Sequence, residues 1–220
     1  MDDKLLIAGR VARELRAGTL VNLGIGLPTL VAGLVPADAH IFFQSENGII
    51  GMQSIPELGL EDDDLTDAGG RPIGALPGAA TFDSAMSFGL VRGGHLDVTV
   101  LGGLQVDRVG RLANWMVPGK MVPGMGGAMD LVTGARRVIV AMTHTAKGEH
   151  KIVEALSLPL TSVRCVDLIV TEMAVLRPTA EGMVLQELAP GVSIEQVQAA
   201  TGTRLIVRGE VPVMVGTSGA

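Results

Sequence analysis

The sequence predicts an α/β fold of three layers around an open, mixed and largely parallel sheet, with some antiparallel pairs in the middle. Three observations carry this expectation. Short β-prone runs such as Val98-Thr99-Val100-Leu101 alternate with segments whose apolar residues recur at helical spacing. Glycine, at 30 of 220 residues, gathers at the ends of those runs, as close backbone approaches require. Hydrophobic residues make up 47% of the chain and charged residues 18%, so a sizeable core is within reach of the composition. Aromatics are only 2%, with no tyrosine, so that core must rest on Val, Leu, Ile, Met and Ala.

The elements follow in order. Leu5, Ala8, Ala12 and Leu15 recur at helical spacing among basic residues, which predicts an amphipathic helix over 3–17 stopped at Gly18. Leu20 to Leu23 is a short strand, and Gly24-Ile25-Gly26 turns it into a second helix that begins near Pro28. Ile41-Phe42-Phe43 is a buried strand. Residues 51–74 read as a long connection that includes the acidic, solvated run Glu61-Asp62-Asp63-Asp64. A strand over 73–76 precedes a helix over 83–91 with Asp83 as its N-cap. Val98–Leu101 is a strand closed by Gly102-Gly103, and 104–114 form a hairpin that turns at 107–110. Residues 118–127 are too irregular for helix or strand and too apolar for a free linker, so they are expected to pack on a ligand or partner. Strands over 138–142 and 167–175 and a helix over 193–199 capped by Ser193 complete the domain. The chain reads as one domain, 1–220, with no internal repeat and with 211–220 a loose tail.

Composition excludes several classes. A net charge of −6 without a basic stripe or aromatic ladder argues against nucleic acid. The single cysteine, Cys165, excludes an internal disulfide and a cysteine zinc cluster, and it reads as a small core residue. His144 has no second histidine at ligand spacing, so a hydrogen-bonded core or surface role is expected and no metal. No apolar run reaches the ~18 residues of a membrane span. Charges throughout 1–17 argue against a signal peptide, which makes a cytoplasmic protein the expectation.

The chemistry centres on Gln44-Ser45-Glu46-Asn47-Gly48. Glu46 falls where a buried strand gives way to a loop, and ligands of open α/β sheets bind outside such strand ends. Asn47-Gly48 lets the chain bend sharply just after the carboxylate. Gly24-x-Gly26, with Glu46 about twenty residues on, also begins a dinucleotide fingerprint, but Thr29 stands where its third glycine belongs. Trp115, the lone tryptophan, reads as a core or subunit-contact anchor.

Ser45-Glu46-Asn47-Gly48 resembles the SENG signature of the beta subunit of family I CoA transferases. The glycine-rich opening Val21–Pro28 resembles that family, as do Arg92-Gly93-Gly94-His95, the block 112–120, the block 124–130 and Ser157–Thr161, all in the family's order. The departure is Gly51-Met52-Gln53-Ser54-Ile55, where the family carries a Gly-Pro-rich segment. The resemblance spans roughly residues 4–201 and is greatest to 3-oxoacid CoA transferases of the acetoacetate or 3-oxoadipate type, which use succinyl-CoA as donor.

It implies the CoA-transferase (NagB/RpiA-like) form of the α/β fold, with coenzyme A as substrate and no cofactor or metal. It implies Glu46 as the catalytic carboxylate, carrying first an acyl anhydride and then a CoA thioester. Ser45, Asn47 and Gly48 would support it. Gly127, with Gly126, would present an amide to the thioester oxygen. Gly24 and Gly26 are further candidates for that contact, and close packing is the alternative for each glycine. The implied partners are a CoA-transferase alpha subunit, in a heterotetramer, together with acyl-CoA and small carboxylic acids. Arg71, Arg92 and Arg108 are candidates for binding a second carboxylate on the acceptor. The alternative reading is a non-catalytic assembly or binding subunit on the same fold.

Overall fold

The computed structural model describes residues 2–36, 38–53, 59, 61–119 and 126–215. Helix α1 (Asp3–Ala12) is capped by Asp2, whose carboxylate accepts the Lys4 amide. It ends five residues before the expected stop, because the Glu14 and Leu15 amides turn back onto Val11 and Ala12 in a tighter i→i+3 pattern. Strand β1 (Leu20–Leu23) matches its expected bounds. The helix expected near Pro28 is a 3₁₀ helix over Leu27–Leu34. Strands β2 (Phe42–Ser45), β3 (Ile49–Gln53) and β4 (Gly74–Thr81) follow, so strand occupies both ends of the expected 51–74 connection. Helix α2 (Ser84–Arg92) starts at the Asp83 cap, and β5 (Val98–Leu101) follows it. β6 (Gln105–Asp107) and β7 (Leu112–Ala113) form the expected hairpin.

Helix α3 (Ala128–Gly134) had no counterpart in the sequence reading. After β8 (Arg137–Ala141) come β9 (Thr145–Ala146), β10 (Glu149–His150) and β11 (Ile152–Val153). The expected single strand over 167–175 is two, β12 (Leu168–Val170) and β13 (Ala174–Thr179), which turn back at Thr171. The Thr171 hydroxyl accepts the Met173 and Ala174 amides there. β14 (Gly182–Leu188), α4 (Ile194–Ala199) and β15 (Leu205–Val207) end the order. α4 opens on a capping box between Ser193 and Gln196. The tail is docked further than expected: Met214 is buried and its amide donates to the Leu188 carbonyl. Residues 216–220 lie outside the described residues.

Ten strands make one sheet, in the order β15-β14-β13-β12-β8-β5-β1-β2-β3-β4. The middle, from β12 to β2, is parallel, and the antiparallel pairs lie on the two flanks, the reverse of the expected arrangement. Burial on both faces explains this. The parallel strands have helices above and below, while β3 and β4 on one flank and β13 and β14 on the other pair antiparallel, with β15 returning parallel to β14 after α4. Alternation along the strands builds two cores. Val100, Ile139 and Val170 meet Ile7 and Val11 of α1, whereas Leu101, Val140 and Ile169 meet Val91 of α2 and Leu131 of α3. From β1 the chain goes to β2 on one side and resumes at β5 on the other, so the strand order reverses between β1 and β5. The carboxyl ends of strands flanking such a reversal leave a crevice.

Cys165 is exposed, which corrects its reading as a core residue: it lies in the loop before β12 and not within a strand. His144 is fully buried, with its ring nitrogens on the hydroxyls of Thr171 and Thr201. Burial lowers its pKa to about 4, so it is a neutral tie between β8, β12 and α4.

Candidate active site

Glu46 is the first residue after β2, on the edge of the sheet where the order reverses. Its neighbours in the motif fix the turn. The Ser45 hydroxyl accepts the Ala68 amide at 2.9 Å, and Asn47 Nδ2 donates to the Thr66 carbonyl at 2.7 Å. Both pin residues 66–68 beside the strand end. Gly48 has φ +128°, and its backbone lies so close to Phe82 that a Cβ would fall 1.9 Å from the Phe82 carbonyl oxygen. Ser45, Asn47 and Gly48 therefore shape the turn, and the crevice is lined by Glu46 alone of the four.

That crevice holds about 480 Å³. The strand-end glycines Gly24, Gly102 and Gly103 form its floor, with Trp115 and Gly126-Gly127 among its walls. Glu46 and Gly127 come together: a Cβ built on Gly127 would lie 3.1 Å from Glu46 Oε1 and 3.1 Å from the Phe88 ring. Gly127 is also the residue that caps α3. Gly126, at φ +50°, completes this corner.

Two glycine expectations need correction. The Gly24 amide donates to the Val100 carbonyl at 2.8 Å, so it serves the β1–β5 junction and is not offered to a ligand. Its lack of a side chain matters for packing, since a Cβ would meet Val100 O at 3.1 Å. Gly26 is not among the crevice lining; its φ of +91° sets the turn into the 3₁₀ helix. The segment 118–127, expected to pack on a ligand or partner, falls mostly on residues 120–125, which lie outside the described residues. Trp115 is in the crevice wall, where its indole donates to the Leu160 carbonyl at 3.2 Å.

Sequence reasoning missed the polar support behind Glu46. Asn22 Nδ2 donates to Gln44 Oε1 at 2.8 Å and reaches Glu46 Oε2 at 3.4 Å. Thr99 donates to Asn22 Oδ1 at 3.2 Å, and Gln44 Nε2 donates to the Ser87 hydroxyl at 2.9 Å. Asn22, Gln44, Ser87 and Thr99 are all buried. Polar residues in the middle of β-prone runs, such as Asn22 in Leu20–Leu23 and Thr99 in Val98–Leu101, are the signal that could have found them, because buried polar groups need partners. The pKa of Glu46 is raised, first by burial. Asn22 and the backbone oppose the shift and the nearby Asp67 charge adds to it. A carboxylate in this state is poorly solvated. Among the described residues, no three His, Cys, Asp or Glu side chains gather as a metal site.

Gly127→Ala is expected to push a methyl group against Glu46 and Phe88, displacing the carboxylate, and to lower any turnover that uses Glu46 by about 10²-fold, the scale of a 1 Å misplacement of a reacting group. Steady-state kinetics with a matched melting curve test this: unchanged turnover in a folded variant would remove Gly127 from the site.

A half-buried carboxylate facing a crevice at the switch point of an open α/β sheet is the arrangement by which such folds meet small ligands at strand tips. Comparison with known proteins gives the family. Residues 4–200 match the family described as Coenzyme A transferase. The chain is 55% identical to the beta subunit of the acetate CoA-transferase of Escherichia coli K12, over 98% of this chain and 99% of that one. It is 50% identical to the B subunit of the succinyl-CoA:3-ketoacid coenzyme A transferase of Helicobacter pylori, over 92% of this chain and 98% of that one. Among solved structures, the acyl-CoA transferase YdiF of E. coli O157:H7 shares the fold at a TM-score of 0.80 and 23% identity. That match covers 97% of this chain but only 43% of the longer YdiF chain. The chain belongs to the coenzyme A transferase family, on the side of its beta-type subunits.

Among the described residues no helix is long and apolar enough to cross a membrane.

Proposed function

We propose that the chain is the catalytic beta half of a CoA transferase that moves CoA from an acyl-CoA to a small carboxylic acid through Glu46. The observation that carries this is the half-buried Glu46 carboxylate facing the crevice beside Gly127. Glu46 attacks the thioester carbonyl, giving an acyl–glutamyl anhydride and CoA thiolate. The thiolate attacks the glutamyl carbonyl, giving the glutamyl–CoA thioester and releasing the first acid. The incoming acid reverses these steps, and the free energy stays near level because one thioester replaces another. The amide of Gly127 stabilises the tetrahedral oxyanions.

The acceptor is a 3-oxoacid such as acetoacetate, or acetate itself, with succinyl-CoA or another acyl-CoA as donor. The crevice supports monocarboxylates over 3-oxoadipate. Among the described residues no arginine or lysine lines it, and the three arginine candidates are paired elsewhere: Arg71 with Asp67, Arg92 with Asp130, Arg108 with Glu154. The described lining therefore supplies no cation for a second carboxylate. The names of the relatives as beta or B subunits support an alpha-type partner; in this reading the two pair as a heterotetramer and the partner completes the CoA site.

Co-expression with such a partner, followed by an acceptor screen, is the test. Acetoacetate or acetate is expected to exceed 3-oxoadipate by about tenfold or more in kcat/KM, the scale of one missing charged hydrogen bond. The chain alone should be nearly inactive. Borohydride after acyl-CoA exposure should modify Glu46. Modification elsewhere, or preference for 3-oxoadipate, would count against the route or the acceptor respectively.

A further inference from the structure

The edge of the sheet opposite Glu46 carries a second pair of cavities. One, of about 490 Å³, is lined by Arg16, Thr19, Asp97, Arg137 and Arg177 with Glu14 and Val98. The other, of about 520 Å³, is lined by Val109, Cys165, Asp167, Pro178 and Thr179 among others, and again by Arg177. Arg177 therefore stands between them. Thr19 precedes β1 and Gly24 follows it, so this edge lies about 16 Å from the Glu46 crevice at roughly 3.3 Å per strand residue.

The carboxylates here are already committed. Glu14 is held by Arg10 and Arg137. Asp97 accepts the Leu20 amide at 2.9 Å and pairs with Arg136. Asp167 accepts the Val138 amide at 2.7 Å and pairs with Arg164. Arg16 and Arg177 make no side-chain hydrogen bond or ion pair to any other described residue, and both are exposed. In a chain of net charge −6, two unengaged guanidinium groups beside Arg137 make a local reversal of charge. Guanidinium forks suit phosphate oxygens in a way that a point charge does not. On the far side of Arg177, Val109 and Pro178 offer apolar surface next to polar Thr179.

We infer that these two cavities form one ligand site for an organic phosphate, with the phosphates between Arg16, Arg137 and Arg177 and the organic group against Val109 and Pro178. A nucleoside diphosphate has the required shape, with a planar base whose faces suit an apolar surface and a strongly anionic diphosphate end. The inference does not depend on the chemistry at Glu46.

The test uses the full chain, alone and co-purified with its partner subunit. Calorimetric titration with ADP should show saturable sub-millimolar binding that weakens with salt. Arg177→Ala and Arg16→Ala should each weaken it at least tenfold, Arg177→Lys less, and Glu46→Gln not at all. Pyrophosphate should bind more weakly than ADP. Cys165, the chain's single cysteine, gives an independent readout from within the cavity: ADP should slow its alkylation by maleimide, followed by mass spectrometry, at least threefold. Equal affinity for pyrophosphate and ADP would overturn the assignment of the Val109–Pro178 side. ADP binding indifferent to both arginine variants, unchanged Cys165 alkylation, or no binding at all would overturn the site.

Discussion

Replacing Glu46 with Gln should lower turnover of the assembled enzyme by about 10³-fold or more and at the same time raise the melting temperature. The first effect follows from the proposed route: an amide cannot form the anhydride, and removal of a covalent nucleophile is among the most damaging changes an enzyme can suffer. The second follows from burial. The folded-state pKa of Glu46 is raised from the ordinary 4.5, chiefly because the ionised form is poorly solvated. Between 4.5 and that raised value the folded chain holds a proton that the unfolded chain has lost. Stability from this group is therefore full below the unfolded pKa and is lost as pH rises through the folded pKa. At neutral pH the buried charge is a net burden that a neutral Gln removes while its amide oxygen still accepts from Asn22. Melting curves of both forms from pH 4 to 8 should converge at the acid end, and the acid limb of the activity profile should fall at a higher pH than for a free carboxylic acid. Wild-type turnover in the variant would remove Glu46 from catalysis, and a lower melting temperature at pH 8 would contradict the burial argument.

Gly48→Ala should unfold or severely weaken the protein by a route that has no chemistry in it. The position combines φ +128°, which side-chain-bearing residues rarely adopt, with a Cβ site 1.9 Å from the Phe82 carbonyl oxygen. Relief would require β3 and the start of α2 to separate, breaking the bond from the Phe82 amide to the Gly48 carbonyl at 2.9 Å. Strain and lost pairing together are worth about 3 kcal/mol or more. For a chain of this size that corresponds to a fall in Tm of about 6–12 °C. Denaturant unfolding measures it, and a loss under about 1 kcal/mol would show that the turn relaxes freely.

The contrast between those two residues explains what the sequence could and could not disclose. Glu46 was legible because a short apolar run ends there and a turn pair follows, and the resemblance then singled it out. Gly127 was legible through the resemblance, but its closeness to Glu46 depends on α3 packing on α2 and could not be read from spacing. The long connection over 51–74 concealed a repeated device. Asp67–Arg71 and Asp107–Arg111 share the pattern Asp-x-x-Gly-Arg, and in each the Asp accepts the Arg amide and pairs with its guanidinium. The glycines, at φ +74° and +95°, let the chain reverse at both places. The second copy reads as a turn because β-prone runs flank it. The first does not, since its flanking segments are short on β-branched residues. Parallel pairing in the centre was equally hidden: local pattern marks a strand but not its neighbour.

Asn22 leaves the two oxygens of Glu46 unequal. Thr99 donates to Asn22 Oδ1, so the Asn22 amide nitrogen must face Glu46 Oε2, while Oε1 is the oxygen turned to Gly127. On the proposed route the Oε1 atom enters the anhydride and departs with the released acid, and Oε2 stays behind as the carbonyl oxygen of the CoA adduct. Turnover in ¹⁸O-labelled carboxylic acid should then exchange heavy oxygen into one position of the glutamate side chain per cycle, leaving its twin untouched for as long as the tether holds.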